Sequence, residues 1–322
     1  MLEPAAEPFV AKETLMNFRA WPICSLMLLL SITALPGIAA SSPASTLEAQ
    51  SPETAQASNT ESQRTQFLSL LDEEWQYELR SDPEMATTLG DNRYNDRLTD
   101  HSPQFHESEV EAKRKFLARF EAVDPAGFPP QDALSRILMI RNLRQEIEGA
   151  QFKSWEMPVN QMAGPHIELL DLVTLTPFND MHDYDNYQSR LHQVSRALDQ
   201  TIANMRQGMQ DRLMPPRYLL EKVTSEAQEI AGQKGEASPF AKPLAKFPPN
   251  ISASDQQRLR SAVLATINDE ILPAYERFAK FVRDDYAPHG RSEPGVWALP
   301  DGPARYRYEI RRLTTTDLTA EQ

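Results

Sequence analysis

Apolar residues recur at steps of three and four along most of the chain after residue 66, which is the spacing of one helix face. The first such run lies within residues 67–79, and the longest extends from Asp183 to about Asp211. A half-buried strand would alternate apolar and polar residues, and no stretch does so over more than a few positions. The pattern therefore predicts an all-α fold, a bundle-like array of many helices.

Short polar signals mark where several of these helices begin. Asp82-Pro83 and Ser102-Pro103 each place an N-capping side chain before a proline, which is favoured in the first helical turn. Gly90 should end the helix that starts at Pro83, because glycine readily adopts the conformation that closes a helix. The signals predict a short helix over 83–89 and a longer one from residue 103.

Further along, prolines divide the helical pattern. The Pro-rich segment 124–130 predicts a loop, and the apolar residues within 134–147 then predict a largely buried helix. The run over 183–211 predicts one continuous helix, which packs against its neighbours rather than forming a free coiled coil. Pro273 lies inside the last long apolar run, where its ring predicts a kink.

The N-terminal 40 residues have the pattern of a secretory signal peptide. An apolar run of about 13 residues, from Ile23 to Leu35, follows Arg19 and precedes small residues. A membrane-spanning helix needs about 20 apolar residues, so an uncleaved anchor or a buried helix is a weaker alternative. Acidic residues upstream do not fit the pattern, and Met16 is a better start than Met1. We expect a periplasmic or secreted protein.

Residues 41–62 consist almost entirely of Ser, Ala, Thr, Pro, Gln and Glu. Such a segment buries too little apolar surface to order itself, so the composition predicts a disordered linker before a helical domain over 63–322. The single cysteine, Cys24, lies in the predicted signal peptide. The mature chain would then carry no thiol, which suits an oxidising compartment.

The charge balance limits the partners. The chain has 33 Lys+Arg against 46 Asp+Glu, a formal net charge of −13, which repels the phosphate backbone of nucleic acids. We therefore expect no nucleic-acid binding, and no stable membrane span once the signal peptide is cleaved.

Motifs that carry known chemistry are absent from the sequence. It contains no Gly-x-Ser-x-Gly elbow and no phosphate-binding glycine loop. His106-Glu107 begins like a zinc-binding helix, but Val110 replaces the second histidine, so the match is interpreted as a coincidence on an exposed helix face. His182 and Asp183 resemble the start of a calcium loop, yet a helix N-cap fits them better. We assign no catalytic residue and no metal ligand.

Two loops carry more polar side chains than a plain connection needs. The segment 90–100 alternates acids and arginines, which fits either a salt-bridged surface loop or a substrate-facing rim. The segment 160–166 places amides and an imidazole on a glycine-bent loop, which fits either peptide-backbone binding or a structural polar plug. The candidate residues for a substrate rim are Asp91, Arg93, Asp96, Arg97, Asn160, Gln161 and His166.

Several ordered segments together resemble a large bacterial family, the domain-of-unknown-function family 885 (DUF885). The resemblance covers the chain from Phe67 onwards and follows the family's order. It rests on Glu73-Glu74-Trp75-Gln76-Tyr77, Asp82-Pro83-Glu84, Ala86-Thr87-Thr88-Leu89-Gly90-Asp91, Arg93-Tyr94-Asn95-Asp96, Met157-Pro158-Val159-Asn160-Gln161, Gly164-Pro165-His166, Thr176-Pro177-Phe178, Pro215-Pro216 and Trp297-Ala298-Leu299-Pro300-Asp301-Gly302.

The resemblance implies a mostly helical, gluzincin-like protein about twice as long as this chain, which would be its N-terminal half. Members are similar to zinc metallopeptidases, and their His-Glu-x-x-Gly-His-like or His-Glu-x-x-His motif lies in the second half, beyond Gln322. In that chemistry two histidines and a carboxylate hold Zn²⁺ and a glutamate activates water. No position here matches the motif, so zinc, and binding of a peptide substrate, are expected only with the second half.

The last four residues, Thr319 to Gln322, have the pattern of a capping box, in which a threonine is followed three places later by a glutamine. Such a box announces a helix, so we expect the helical domain to be truncated and inactive as this chain. The alternative is a non-catalytic helical binding module of the bacterial cell envelope.

Overall fold

The computed structural model describes residues 52–322; the predicted signal peptide and residues 41–51 of the predicted linker lie outside them. Within 52–322 the chain forms twelve α-helices and no β-sheet, and only two isolated bridges, Asn160–Ala163 and Pro216–Arg291, pair extended backbone. The all-α prediction is confirmed. The helices are α1 (Pro52–Ser81), α2 (Pro83–Thr88), α3 (Pro103–Ala122), α4 (Pro130–Ala150), α5 (Pro165–Glu168), α6 (Leu172–Leu175), α7 (Met181–Leu191), α8 (Val194–Asp211), α9 (Arg217–Gly232), α10 (Ala253–Thr266), α11 (Leu272–Phe281) and α12 (Gly302–Thr314).

The predicted helix starts are confirmed by their capping hydrogen bonds. Asp82 Oδ1 accepts from the backbone N–H of Met85 at 2.9 Å, and Ser102 Oγ accepts from that of Phe105 at 3.2 Å. Each bond satisfies a donor that the first helical turn cannot pair internally. Gly90, with φ of +85°, follows α2 as expected.

Three apolar clusters of buried residues hold the described helices together. The largest is centred on α7–α11 and includes Tyr187, Leu198, Val223 and Phe278, all fully buried. The second joins α1, α3 and α4 through seven buried apolar residues, and in it the rings of Phe67 and Phe120 meet edge to face, 6.1 Å apart. The third consists of Tyr184, Ile251 and Leu259. The largest cluster includes Leu98 and Val159, so it anchors the chain at both of the polar loops described below.

The prediction of one helix over 183–211 is wrong, because the chain turns between α7 and α8 at His192 and Gln193. The side-chain amide of Gln193 donates to the carbonyl of Ser189 at 2.9 Å. In a continuous helix that carbonyl would accept from the backbone N–H of Gln193, which instead bonds to Arg190. A side chain that replaces its own backbone donor thus accompanies the break.

The helix within 134–147 is not largely buried, contrary to the prediction. In α4 only Ile140 and Leu143 are buried, whereas Leu134 is 48% exposed and Ile137 is 59% exposed. The helix packs against α3 on one side, and its other apolar side has no neighbour among the described residues that covers it.

Just before Pro273 the backbone departs from α-helical geometry, close to where a kink was predicted. Residues Ile267–Ile271 form a π turn immediately before α11. Proline has no N–H to donate to the carbonyl four residues earlier, and its ring requires more space there. A wider turn provides that space without ending the helical path.

The predicted linker extends too far, since α1 begins at Pro52 and residues 52–62 are helical. Polar contacts attach α1 at residues 60–64 to the loop at 124–132. Thr60 Oγ1 donates to the carbonyl of Ala126 at 3.3 Å, Gln63 Oε1 accepts from the N–H of Asp124 at 3.0 Å, and Arg64 Nε donates to Asp132 at 2.6 Å. A prediction from apolar composition does not detect such attachment.

From Pro52 to Gln322, none of the helices combines the length and the apolar character required to cross a membrane.

Candidate functional site

The polar loop at 90–100 satisfies most of its charges internally. Arg93 pairs with Asp91 at 2.5 Å and also donates to Gln76, while Arg97 Nε lies 3.5 Å from Asp96. Arg93, Asp96 and Arg97 are exposed. These contacts match the surface-loop interpretation, and a role for the four residues in substrate contact stays a prediction.

Beneath this loop lies Arg190 of α7, a fully buried guanidinium. Its Nε donates to the carbonyl of Arg97 at 2.8 Å, and its Nη2 donates to Thr87 Oγ1 at 2.7 Å and to the carbonyls of Pro83 and Tyr94. Burial lowers the pKa of Arg190, although neighbouring carboxylates oppose this. The arginine fixes the path of the loop by bonding its backbone, so it has a structural role that sequence reasoning missed.

The segment after the loop is attached to one polar face of α8. Gln193, just before α8, donates to the carbonyl of Asp96 and accepts from the N–H of Leu98, at 2.8 and 3.1 Å. Gln200 Oε1 accepts from the N–H of His101 at 3.0 Å, and Asn204 Nδ2 donates to the carbonyl of His101 at 2.7 Å. Positions 193, 200 and 204 share a helix face, so they align residues 96–101 along it.

The second polar loop folds back on itself. Asn160 Oδ1 accepts from the N–H of Met162 at 2.7 Å, and the backbone N–H of Asn160 donates to the carbonyl of Ala163 at 2.9 Å. Gln161 is half-buried, and its Oε1 has no hydrogen-bond partner among the described residues. The turn occupies the backbone N–H and the side-chain oxygen of Asn160, so the loop resembles the structural plug more than an open peptide-binding edge.

His166 is fully buried, which corrects its prediction as a substrate-rim residue. Its ring stacks on Phe278 with a centroid distance of 5.7 Å, and its Nε2 lies 3.1 Å from Glu226 Oε2. Burial lowers the pKa of His166 to about 4, so the ring is neutral near pH 7 and donates from Nε2. Its backbone carbonyl accepts from the Tyr275 hydroxyl at 3.0 Å, which fastens the loop to α11.

Beside the second loop, and next to His101 that follows the first, lies a cavity of about 170 Å³, which we call the Trp155 cavity. Its floor consists of the buried residues Gly164, Pro165, Thr201 and Asn204. Its rim consists of the half-buried residues His101, His106, Trp155, Pro158, Ala163 and Glu168. This gradient of burial means that the cavity opens at the protein surface.

Local structure explains how these residues meet. Thr201 and Asn204 are three positions apart on α8 and so share one face, while His106 lies on the first turn of α3. The His106 imidazole stacks on the Trp155 indole at 4.9 Å and 16°, which forms one aromatic wall. Gly164 has φ of +130°, and a Cβ there would lie 2.8 Å from the carbonyl of Pro158, so only glycine fits the turn.

The electrostatics of the cavity favour neutral or donor-bearing groups. Burial, and then the neighbouring His101, lower the pKa of His106 to about 4 although Asp100 opposes this, so the imidazole is neutral near pH 7. Glu168 Oε1 accepts from the N–H of Gly164 at 3.2 Å. Asn204 Oδ1 is buried and has no hydrogen-bond partner in the described part of the chain.

The Trp155 cavity is lined by three titratable side chains and one hydroxyl. It holds two histidines and one carboxylate, but across residues 52–322 no three His, Cys, Asp or Glu side chains converge as metal ligands would. Thr201 is its only hydroxyl, and that group donates to the carbonyl of Ala197 at 2.7 Å rather than to a base.

Of the sequence-predicted rim residues none lines this cavity, although the turn from Asn160 to Ala163 borders it. Sequence reasoning placed His106 on an exposed face, whereas it is half-buried against Trp155, 49 positions away in a segment that appeared irregular. The polar residues 193, 200 and 204 within an apolar heptad pattern were a usable signal for the buried polar face of α8.

Comparisons with known proteins agree with this architecture. The chain is similar over 81% of its length to a crystal structure described as the "putative lipoprotein from Colwellia psychrerythraea", with a TM-score of 0.71 and 17% sequence identity. At that identity the likeness establishes the fold alone. The match covers 47% of that protein, so this chain spans about half of its length. No curated protein matches this chain.

A family model described as "Bacterial protein of unknown function (DUF885)" matches residues 83–322. The match begins at α2, so the resemblance within 67–77 lies before it. Because the matched range is most of the chain, the protein belongs to the DUF885 family, as its sequence motifs predicted.

Proposed function

We propose that this chain is the extracytoplasmic, substrate-facing helical portion of a zinc-dependent, peptidase-like hydrolase, with the metal chemistry supplied by a second half. The observation that carries the proposal is the fold match, which covers most of this chain but less than half of a longer protein. Family resemblance to zinc metallopeptidases gives the reaction class. The polar loops at 90–100 and 160–166 are held to the helices by hydrogen bonds, and the Trp155 cavity beside them offers a small binding site.

The residues present do not fit a zinc site of the kind found in such hydrolases. A catalytic zinc needs three convergent protein ligands, and no such group of His, Cys, Asp or Glu occurs in the part of the chain that the structure describes. The nearest combination, His101, His106 and Glu168 at the cavity rim, engages its groups elsewhere: Glu168 accepts from Gly164 and His106 stacks on Trp155. No reaction step is therefore assigned to this chain.

The extracytoplasmic location is supported by the signal-peptide pattern of the first 40 residues and by the description of the structural relative as a lipoprotein. Fractionation of bacterial cells that express the chain should recover it from the periplasm or medium in a form shortened at the N-terminus. Recovery of the full-length chain from the cytoplasm would contradict this part of the proposal.

The hydrolase proposal is tested by reading the gene downstream of the Gln322 codon and expressing the joined protein. We expect an open frame that encodes a His-Glu-x-x-His-like helix, and a joined protein that hydrolyses peptides when zinc is present. The control is the joined protein with the motif glutamate replaced by glutamine, which should bind zinc but lose hydrolysis. A joined protein that carries zinc and cleaves no peptide would contradict the proposal.

A second candidate is a non-catalytic binding module, which the three apolar clusters favour because they are formed by residues of this chain alone. It predicts that the chain unfolds in a single cooperative transition and stays monomeric without any other polypeptide. If the chain instead depends on a second half, its exposed apolar side chains should bind a hydrophobic dye and cause aggregation. Size-exclusion chromatography with dye fluorescence separates these outcomes.

A further inference from the structure

Asn204 carries a polar atom that the fold leaves unpaired. The residue is 2% exposed, and its Nδ2 donates a hydrogen bond to the carbonyl of His101 at 2.7 Å. Its Oδ1 is buried without a partner among the residues that the structure describes. Leaving a buried acceptor without a donor is destabilising, so an unpaired acceptor on a residue that lines a cavity can be satisfied by a donor from a bound molecule.

The size and walls of the Trp155 cavity define what can bring that donor. The volume of about 170 Å³ is close to that of an engineered cavity of about 150 Å³ that binds benzene. The rings of Trp155 and His106 form a continuous aromatic wall, and Pro158 and Pro165 add rigid surfaces. A flat aromatic ring suits this shape, and the half-buried rim lets it enter from solvent.

The charges around the cavity disfavour an anion. The Glu168 carboxylate lies on the rim, and the whole chain has a formal net charge of −13. The neutral imidazole of His106 offers no positive charge in compensation. A carboxylate or phosphate would therefore be repelled, whereas a neutral hydroxyl would not.

We propose that the Trp155 cavity binds a phenol, with the ring against Trp155 and His106 and the hydroxyl donating to Asn204 Oδ1. The proposal does not rest on the hydrolase function, because it concerns this chain alone. A phenol can come from two sources, a free small molecule or the side chain of a tyrosine in a peptide. Both present the same ring and the same donor.

Isothermal titration calorimetry of the whole chain with p-cresol and toluene tests the proposal. The two ligands differ by one hydroxyl, so pairing of Asn204 Oδ1 should make p-cresol bind about tenfold more tightly. Equal affinities, or no binding of p-cresol at millimolar concentration, would overturn the proposal. This comparison uses the unaltered protein, so it decides the matter even if a variant fails to fold.

The capped amino acids N-acetyl-tyrosinamide and N-acetyl-phenylalaninamide distinguish the two sources. If the tyrosine compound binds at least as well as p-cresol and better than its phenylalanine counterpart, the occupant is a peptide side chain. If p-cresol binds and neither capped residue does, the occupant is a free phenol. Both results support the phenol site, while a preference for phenylalaninamide would contradict it.

Two variants locate the site. Asn204→Leu removes the acceptor and should bring the p-cresol and toluene affinities to within about twofold of each other. Ala163→Leu adds bulk at the rim and should weaken both ligands about equally. The control is Gln207→Leu, a similar change three residues further along α8 and outside the cavity, which should keep the tenfold preference. Persistence of the preference in Asn204→Leu would place the phenol elsewhere and overturn the proposal.

Discussion

Several charged side chains are buried in this fold and affect its stability. Glu74 is one of them, and its protonation should be measurable. It lies on α1, where burial, followed by the charges of Glu78 and Glu146, raises its pKa to about 7, while Lys113 acts in the opposite direction. Lys113 also bonds to Glu146, so the three carboxylates share one ammonium group. The ionised form of Glu74 therefore destabilises the folded protein above neutral pH.

We expect Glu74→Gln to stabilise the protein at pH 8 and to change little at pH 5. Between the ordinary value of 4.5 and about 7, the native state binds more protons than the unfolded state, so the stability contributed by Glu74 falls as pH rises. A shift of this size corresponds to up to about 3 kcal/mol. Urea unfolding of the whole chain at both pH values measures the difference.

Glu73→Gln is the matched control, because the neighbouring Glu73 is exposed and paired with Arg119, which lowers its pKa. That substitution should slightly destabilise the protein at pH 8. If the two variants showed the same effect at both pH values, the assignment of a buried charge at Glu74 would be wrong.

Arg190 provides a second prediction at this scale. Arg190→Met would remove the donor to the carbonyl of Arg97 in a buried place. It would also remove one of two donors from the carbonyls of Pro83 and Tyr94, which keep the Thr87 hydroxyl and the Arg97 N–H. The expected loss is about 3 kcal/mol or more, together with faster proteolysis of the loop at 90–98. Thermal unfolding and limited proteolysis check it. Arg196→Met, at an exposed position on α8, serves as the control and should cost well under half as much.

At the scale of elements, the first turns of α1 depend on polar anchors. Thr60 Oγ1 donates to the carbonyl of Ala126 at 3.3 Å, and Arg64 pairs with Asp132. A combined Thr60→Val and Arg64→Ala variant should increase hydrogen exchange of the amides at 56–64 several-fold and leave those at 67–79 protected, because an apolar core holds the latter.

Thr65→Val, an exposed position on the same helix, controls for the change from threonine to valine. Its exchange pattern should match that of the unaltered chain. If the amides at 56–64 already exchanged at unprotected rates in the unaltered protein, the helical extension of α1 into the predicted linker would be contradicted.

Elements whose ends are fixed by local chemistry could be predicted from the sequence. The capping bonds of Asp82 and Ser102 reach only three residues along the chain, so the starts of these helices could be predicted from the sequence. The bonds from Gln193 to residues 96 and 98 cross more than 90 positions, and they accompany the break between α7 and α8 that periodicity did not show. The Trp155 cavity was missed for the same reason, since its walls come from four separate segments.

At the scale of the whole molecule, large apolar side chains remain on the surface of residues 52–322. Ile137 on α4 is 59% exposed, Trp297 is 65% exposed and Leu313 on α12 is 66% exposed. Tyr306 and Leu313 are seven positions apart, and Ile310 lies between them on the same face of α12. Such surface fits a chain that covers about half of its structural relative, in agreement with the proposed second half.

The zinc content of the purified chain tests whether the metal site lies outside this chain. The purified chain is dialysed against micromolar Zn²⁺ and then against metal-free buffer, and zinc per polypeptide is measured by mass spectrometry. We expect well below one zinc per chain, because no three ligands converge among residues 52–322. One tightly held zinc ion per chain would contradict it, since the metal chemistry would then reside in this half.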